Sequence, residues 1–366
     1  MIHVNMGVKL NSLVYKEELS SSILKGRIMA VDGPNIIISL LKFSMKDNEN
    51  NKSKLNVNRL GKPILHFYGI LYRVNFFLIN KILPIFCFDG IDSELKRKIV
   101  KDSLNDFLKV KQLHEIAIQN KNLELARKIA FSKEFYWPSI IEDSKHLLKL
   151  LGIPIIQAPA SAESQCAQLV KNKVADFANS QDYDALLFGC PKLIRNFTKT
   201  ARKKISNKWI YKKITPSIIY LNKTLKNLKI NYFQLVDLSI LIGTDYFEGI
   251  KKIGPRIALN LIRTHKNLEN VMEKTRDKYD FSKLTKQKIN DIRKIFIFPH
   301  TINKISDLRW SLPKIDAILT FLCDKNFLDR EKVDKVVKNL ESNFIKCLEY
   351  FKNSKNKSML LQTCLF

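Results

Sequence analysis

Acidic residues close several apolar runs of a chain that is otherwise strongly basic. The apolar runs at residues 28–31 and 84–88 end in Asp-Gly, and an Asp-Tyr-Asp triplet at 182–184 follows the stretch 174–180. Carboxylate oxygens suit hard divalent ions such as Mg²⁺, and acids beyond the carboxyl ends of strands in an open α/β sheet converge. A single Asp-Gly pair also marks an ordinary turn, but the whole set favours a metal site. The candidate metal ligands are Asp32, Asp89, Glu163, Asp182, Asp184 and Asp245.

The apolar patterns predict alternating strands and helices. A continuous apolar run indicates a strand buried on both faces, as in a parallel sheet covered by helices. Between Leu95 and Ala130 apolar residues recur at helical spacing, which predicts two helices that project from the core. The other expected elements are helices over 144–151 and 162–171, strands over 153–157, 185–189 and 209–214, a helix starting at Thr215-Pro216, and helices over 232–241 and 255–264.

A glycine-rich connection over residues 243–256 separates two of the expected helices. Gly249 and Gly254 lie five residues apart, and Pro255 then opens a helix. Such a turn can present backbone N–H groups and a helix N-terminus to a phosphate. A connection without a binding role is the alternative. The candidate nucleic-acid contacts here are Gly249, Lys251, Lys252, Gly254 and Arg256.

Composition bounds the partner and the compartment. The chain has 63 lysines and arginines against 35 aspartates and glutamates, for a formal net charge of +28 and a pI near 9.7, which favours a polyanion such as nucleic acid. A bias toward lysine without a binding role is the alternative. No apolar stretch approaches the roughly 18 residues of a membrane span, so we expect no membrane partner. The six cysteines show no paired spacing, which favours a reducing cytoplasm and neither zinc nor disulfides.

Several long motifs resemble a known family. From Met6 to about residue 350 the chain resembles the archaeal and eukaryotic flap endonucleases, which are structure-specific 5′ nucleases. The motifs are Ala30-Val31-Asp32, Leu71-Tyr72-Arg73, Phe88-Asp89-Gly90, Gly152-Ile153-Pro154, Ser180-Gln181-Asp182-Tyr183-Asp184, Arg195-Asn196-Phe197-Thr198 and Gly243-Thr244-Asp245-Tyr246. The residues in these motifs resemble those of the archaeal members more than those of the eukaryotic members.

The resemblance implies a fold and an activity. The fold is α/β, a mixed and largely parallel sheet flanked by helices, with a helical arch and a DNA-binding helical hairpin, of the 5′ nuclease or PIN-like type. The activity is hydrolysis of a phosphodiester at the base of a 5′ flap on branched DNA, with endonuclease and 5′–3′ exonuclease action, in replication and repair. Two Mg²⁺ ions, with Mn²⁺ as a substitute, suit in-line attack at phosphorus.

The resemblance also assigns roles to residues. Asp89 and Glu163 would hold the first ion, with Asp32 acting through water, and the second ion would be served by Asp182, Asp184 and Asp245. Lys96 would stabilise charge on the scissile phosphate, although Lys96-Arg97-Lys98 is also an ordinary charge run. The DNA contacts implied are Arg73, Lys96, Arg195 and the hairpin 243–264.

The regions implied have the following boundaries: an N-terminal nuclease region at 6–108, an arch insertion at 95–138, an internal nuclease region with the hairpin at 139–270, a C-terminal helical part at 271–350, and a tail at 351–366. The tail is a degenerate form of the family's segment for binding a sliding clamp. We expect a monomer in the cytoplasm of an archaeal-type cell, associated with the nucleoid, or in the nucleus if the source is eukaryotic.

Two sites depart from the family pattern. Ser161 occupies the place of the first glutamate in the family's Ser-Glu-(Gly/Ala)-Glu, and Asp102 and Ser103 occupy the places of paired basic residues in the arch. A hydroxyl can coordinate Mg²⁺ but brings no charge, so the first metal site should be weaker. Three hypotheses follow: an active nuclease with reduced activity, a nuclease-like protein that binds branched DNA without efficient cutting, and a basic binding module whose acids are structural.

Overall fold

The computed structural model describes residues 8–45, 58, 64–90, 108–117, 119–120, 122, 125, 129, 133–197, 200–205, 208–213, 215–303 and 308–353. Within these ranges the strands are β1 (Lys16–Glu18), β2 (Arg27–Asp32), β3 (Ile82–Phe88), β4 (Ile155–Gln157), β5 (Phe177–Asn179), β6 (Lys192–Arg195), β7 (Thr200–Ile205), β8 (Lys208–Lys213) and β9 (Ser217–Tyr220).

Seven of these strands form a mixed sheet in the order β1-β9-β6-β5-β2-β3-β4, and β7 and β8 form a separate antiparallel ribbon. Pairing is parallel between β2 and β5, β5 and β6, and β3 and β4, and antiparallel at β9 with both β6 and β1. Strand β3 is buried along its whole length and β2 along all but its first residue. Burial on both faces explains their unbroken apolar runs and confirms the predicted fold class.

The helices vary in length and are spread along the chain. The α-helices are Gly33–Met45, Leu65–Ile79, Lys133–Leu150, Ala162–Lys171, Asp184–Leu187, Leu221–Leu228, Tyr232–Ile242, Pro255–His265, Leu268–Thr275, Lys286–Ile297, Ile315–Leu319 and Arg330–Asn353, with a 3₁₀ turn at Ser21–Leu24 and a π-helix at Thr320–Lys325. Residues 108–117 are also helical. They fall in the predicted arch, and the rest of that prediction lies mostly outside the described residues.

The described residues divide into two compact units. The first comprises Met1–Ile23, Met29–Asp32 and Ala158–Lys304. In it, Arg293 joins three helices: its guanidinium donates to Asp237 at 2.7 and 2.8 Å and to Glu269 at 2.6 and 2.9 Å. Asp237 also accepts the Leu268 N–H at 3.0 Å. This network fixes the helix that precedes the glycine-rich turn.

The second unit comprises Leu24–Ile28, Gly33–Gln157 and Ile305–Phe366. Its core includes the buried side chains of Phe67, Phe77 and Phe86, and Trp310 donates its indole N–H to the Pro84 carbonyl at 2.8 Å. Gly152 lies at φ +72°, where an added Cβ would approach the Ser311 carbonyl oxygen to 1.8 Å. That close approach explains why glycine opens Gly152-Ile153-Pro154.

Two predictions of local structure are wrong. Residues 185–189 do not form a strand, because a helix covers Asp184–Leu187; short apolar runs do not distinguish a strand from a buried helix turn. Pro216 does not start a helix. It precedes β9, where its carbonyl accepts the Leu19 N–H at 3.0 Å, so pairing with a distant segment overrides the local signal.

Most other predicted elements are confirmed within two residues, the helix Ala162–Lys171 at both ends. The helix predicted over 144–151 is present but begins earlier, at Lys133. Across the described ranges, no helix combines the length and the apolar character of a membrane span.

Candidate active site

The register of the parallel strands brings Asp32 and Ser180 to the same level. Val31 pairs with Asn179, so the next residues, Asp32 and Ser180, leave β2 and β5 side by side. The Ser180 hydroxyl donates to Asp32 Oδ2 at 2.8 Å, and its oxygen accepts the Asp182 N–H at 3.2 Å. Both side chains are buried. A single hydroxyl therefore ties the first predicted ligand to the acidic loop, which we define as residues 181–184.

Asp184 and Asp32 are the two buried carboxylates among the predicted ligands. Asp184 lies at the first position of its helix, and its Oδ1 accepts the Val8 N–H at 2.9 Å. Burial raises the pKa of Asp184, and the charges of Asp245, Asp182 and Asp32 raise it further. Since the charges of Asp245, Asp182 and Asp32 all act on it, these three predicted ligands lie within electrostatic reach of Asp184.

Asp245 lies at the tip of a tight turn. Thr244 and Phe247 form a two-residue bridge, with N···O distances of 2.8 and 3.2 Å, and Asp245 is exposed between them. Gly243 ends the preceding helix at φ +104°, where an added Cβ would approach the Glu248 carbonyl oxygen to 2.9 Å. Glycine is therefore required where the chain leaves the helix to present Asp245.

Ser161 and Glu163 begin the helix Ala162–Lys171. Ser161 is its N-cap: the hydroxyl oxygen accepts the Ser164 N–H at 3.1 Å, and the Ser164 hydroxyl donates to the Ser161 carbonyl at 2.8 Å. Glu163 lies in the first turn and is half-buried. The residue in the family's glutamate position thus has a structural role, stabilising the helix that carries Glu163.

Asp89 and Arg73 belong to the second unit. Asp89 follows the end of β3 and is exposed, and its carbonyl accepts a hydrogen bond from the Gln157 side chain. Arg73 is half-buried in the helix Leu65–Ile79, and burial lowers the pKa of its guanidinium to about 10. Lys96, Asp102 and Ser103 lie outside the described residues.

Arg195 and Tyr183 form a contact that the motif alone did not reveal. Arg195 ends β6, level with Ser180, and its guanidinium lies 3.7 Å from the centroid of the Tyr183 ring. Its Nε donates to the Gln181 carbonyl at 2.9 Å, and its Nη2 donates to the same oxygen. Sequence reasoning did not identify Val8, Ser180 and Tyr183 as site residues, although each contacts a predicted site residue. The Asp-Tyr-Asp triplet was the signal for Tyr183, and none existed for Val8.

The glycine-rich turn matches the predicted hairpin between two helices. Gly249 has φ +84°, and a Cβ there would lie 2.6 Å from the Ile242 carbonyl carbon. Gly254 is the N-cap of Pro255–His265, and a Cβ there would meet nothing within 4 Å. Lys251, Lys252 and Arg256 are exposed beside it. An open helix N-terminus flanked by cations suits a phosphate.

The donor set suits a hard divalent ion. It consists of carboxylate oxygens, and the mutual repulsion of Asp184 and its neighbours would be relieved by a cation. As the side chains stand, no three acidic, histidine or cysteine groups in the described part of the chain are close enough to hold an ion by themselves. Mg²⁺ commonly takes few protein ligands and completes its shell with water and phosphate.

Comparison with known proteins places these features in a family. Residues 6–105 match the XPG N-terminal domain and residues 152–245 the XPG I-region. Flap endonuclease 1 of Methanosarcina acetivorans is 34% identical over 337 residues, covering 92% of this chain and 96% of the relative. This chain belongs to the flap endonuclease family.

Solved structures of a flap endonuclease and of a protein with the same fold also match this chain. Flap endonuclease-1 from Methanococcus jannaschii matches with a TM-score of 0.70 and 29% identity, covering 93% of this chain and 99% of that one. The catalytic core of Rad2, solved in complex with a DNA substrate, matches with a TM-score of 0.64 at 22% identity and shares the fold, covering 91% of this chain and 100% of that one. Nucleases of this family generally depend on divalent metal ions.

Proposed function

We propose that this chain is a structure-specific 5′ flap endonuclease that hydrolyses branched DNA in replication and repair. The observation that carries the proposal is the convergence on Asp184 of the charges of Asp32, Asp182 and Asp245. It occurs in a chain that spans 96% of a relative named flap endonuclease 1. Such a cluster costs free energy in the folded protein, and groups perturbed in this way concentrate at functional sites.

The proposed ligand assignment follows the family motifs. Asp89 and Glu163 serve a first Mg²⁺ with Asp32 acting through water, and Asp182, Asp184 and Asp245 serve a second. When bound, two divalent ions supply an activated water and stabilise the leaving oxygen. Ser180 and Val8 hold Asp32 and Asp184 in place through their hydrogen bonds. Lys96 stabilises charge on the scissile phosphate.

The proposed DNA contacts involve both the hairpin and the arch. Gly249, Lys251, Lys252, Gly254 and Arg256 bind the backbone of the duplex, since the N-terminus of Pro255–His265 is open and flanked by exposed cations. Arg73 is a further contact. The arch is assigned to residues 95–138, and the hairpin to 243–264 within the region 139–270. These boundaries stay predictions.

A second candidate function rests on Ser161. Because its oxygen caps a helix and brings no charge, the first ion should bind weakly, and the protein would then hold branched DNA without efficient cutting. Binding of a sliding clamp through residues 351–366, a monomeric state, and a cytoplasmic, nucleoid-associated location also stay predictions.

The deciding experiment is single-turnover cleavage of a 5′-labelled double-flap DNA in Mg²⁺ and in Mn²⁺. Asp184→Asn is the matched control, because asparagine keeps an oxygen that can accept the Val8 N–H but removes the charge. Cleavage at the junction by the wild type, lost in Asp184→Asn, supports the endonuclease. Tight binding of the flap by both proteins, with no cleavage in either metal, supports the binding protein instead.

A further inference from the structure

Tyr183 is the aromatic residue of the acidic loop, and its ring is buried. It stands between two proposed metal ligands, Asp182 and Asp184, and only 4% of its surface is exposed. A buried ring that is anchored to its neighbours restricts the backbone of residue 183, to which both aspartates are bonded. The placement of the ring therefore sets the placement of the two carboxylates.

Arg195 holds the loop from the side of β6. Its guanidinium lies over the Tyr183 ring, and two of its nitrogens donate to the Gln181 carbonyl. A planar guanidinium that stacks on a ring and donates two hydrogen bonds at the same time has little conformational freedom left. Two of its five N–H donors are therefore committed to the protein's own backbone.

Asn11 holds the same ring from the other side. The Tyr183 hydroxyl donates to Asn11 Oδ1 at 2.5 Å, and Lys16 donates to the same oxygen at 2.6 Å. The Lys16 ammonium also lies 5.8 Å from the centroid of the ring. Tyr183 is thus fixed at its ring by Arg195 and at its hydroxyl by the N-terminal segment. We call Asn11, Tyr183 and Arg195 the tyrosine clamp.

The acidic loop needs such a support. Carboxylates gathered without a cation repel one another, and a loop between a strand end and a short helix would relieve the repulsion by opening. Opening before metal binding would add an ordering cost to each binding event, whereas a preformed arrangement avoids it. The two aspartates flank the ring that the clamp immobilises.

We propose that Tyr183, held by Arg195 and Asn11, is a positioning residue that preforms the acidic loop for a divalent cation. Arg195 then acts on the metal site through Tyr183 and Gln181, and not as a contact to DNA. The inference deepens the proposed function and rests on it for the use of the ion. In this proposal Arg195 controls the affinity for the divalent cation, whereas in a DNA-binding role it would control the affinity for DNA.

The test measures Mn²⁺ affinity of the DNA-free protein by calorimetry or electron paramagnetic resonance. Arg195→Met and Tyr183→Leu should each weaken Mn²⁺ binding about tenfold, and Tyr183→Phe, which loses only the bond to Asn11, about threefold. Arg195→Lys keeps the charge but cannot stack and fork, so it should not restore Mn²⁺ affinity. Duplex binding in EDTA should stay within about twofold of wild type.

A second arginine provides the matched control. Arg256→Met, in the exposed hairpin, should weaken duplex binding in EDTA and leave Mn²⁺ affinity unchanged. Thermal melting identifies any variant that fails to fold, and Tyr183→Phe, the smallest change, then carries the test.

The inference is overturned if Arg195→Met binds Mn²⁺ as wild type does, or if it weakens duplex binding with a shallower salt dependence that Arg195→Lys restores. It is also overturned if the wild type binds no Mn²⁺. Because the readout needs no cleavage, wild-type protein that binds Mn²⁺ but cuts no flap would count against the proposed function alone.

Discussion

The residue type at position 161 affects both the charge of the proposed metal site and the stability of a helix. Where the family pattern has a glutamate, Ser161 caps the helix Ala162–Lys171 by accepting the Ser164 N–H. Serine is among the favoured N-cap residues, and glutamate is not. Under the proposed ligand assignment, serine at this position therefore removes a charge from the metal site while it stabilises the start of the helix that carries Glu163.

This exchange predicts a difference between Ser161→Asp and Ser161→Asn. Both residues are good N-caps, so thermal stability should stay near wild type, whereas Ser161→Ala should cost about 1 kcal/mol. Only aspartate adds charge, so it alone should lower the Mg²⁺ concentration for half-maximal flap cleavage, by about tenfold. Equal Mg²⁺ requirements for the two variants would show that charge at this position does not tune the ion.

His66 is a second residue with a measurable consequence. It is buried in the helix Leu65–Ile79, and neither ring nitrogen has a hydrogen-bond partner among the described residues. Burial lowers its pKa from 6.5 to about 3. Below pH 6.5 the unfolded chain therefore binds a proton that the folded protein excludes, and stability that is fully present above this pH is lost as the pH falls toward 3.

We expect His66→Phe to remove that part of the pH dependence. Relative to the variant, the wild type should lose up to about 1.4 kcal/mol of unfolding free energy per pH unit below its unfolded pKa, in chemical denaturation at a series of pH values. His146→Phe, at an exposed histidine of the same unit, serves as the control for the exchange of histidine for phenylalanine. Parallel curves for wild type and His66→Phe would contradict the assignment.

At the scale of elements, the hairpin between Tyr232–Ile242 and Pro255–His265 is built around its glycines. Its first helix starts with a capping box, in which Asn231 and Gln234 each accept the other's backbone N–H at 2.9 Å. Its turn needs Gly249 at positive φ, while Gly254 stands in open space. Gly249 is thus required for the backbone conformation of the turn, whereas Gly254 leaves space for a ligand beside the helix N-terminus.

The same substitution should therefore act differently at the two glycines. Gly249→Ala places a Cβ 2.6 Å from a backbone carbon and should destabilise the protein by about 2 kcal/mol, seen as a lower melting temperature. Gly254→Ala should leave the melting temperature unchanged but weaken duplex binding about threefold, since it narrows the approach to the helix N-terminus. A loss of stability at Gly254, or unchanged DNA affinity, would count against this division.

The elements also show the limits of local pattern. The strand ends at Asp32 and Phe88 and the helix Ala162–Lys171 were predictable, because buried strands and capped helices leave long signals. The turn of helix at Asp184–Leu187 and the strand after Pro216 were not, because four or five residues carry too little periodicity and their partners lie far along the chain.

At the scale of the whole molecule, the chain is basic on average but has a local group of acidic side chains. The chain has a formal net charge of +28, yet the carboxylates of Asp32, Asp182 and Asp245 lie within electrostatic reach of Asp184. A basic surface attracts the DNA backbone, and a local acidic cluster admits the cations that accompany it. The two opposite charge distributions suit a metal-dependent enzyme acting on a polyanion.

This distribution predicts a steep salt dependence of DNA binding. The dissociation constant for duplex DNA in EDTA should rise by about a thousandfold between roughly 50 and 200 mM salt, as expected for six or more neutralised phosphates. Arg256→Met should reduce the slope by about one phosphate. A change of less than about tenfold over this range would show that the surplus of lysine and arginine is not used for DNA.

The sequence by itself determined the fold class and the family, and it led to the proposal of which carboxylates bind metal, because these depend on residue types and on local apolar runs. It did not determine that Ser161 caps a helix, that Ser180 joins Asp32, or that Arg195 and Asn11 hold Tyr183. The contacts Ser180–Asp32, Arg195–Tyr183 and Asn11–Tyr183 link residues 148, 12 and 172 positions apart. Only the register of β2, β5 and β6 and the path of the N-terminal segment bring such residues together, and strand pairing over that distance leaves no periodic signal in the chain.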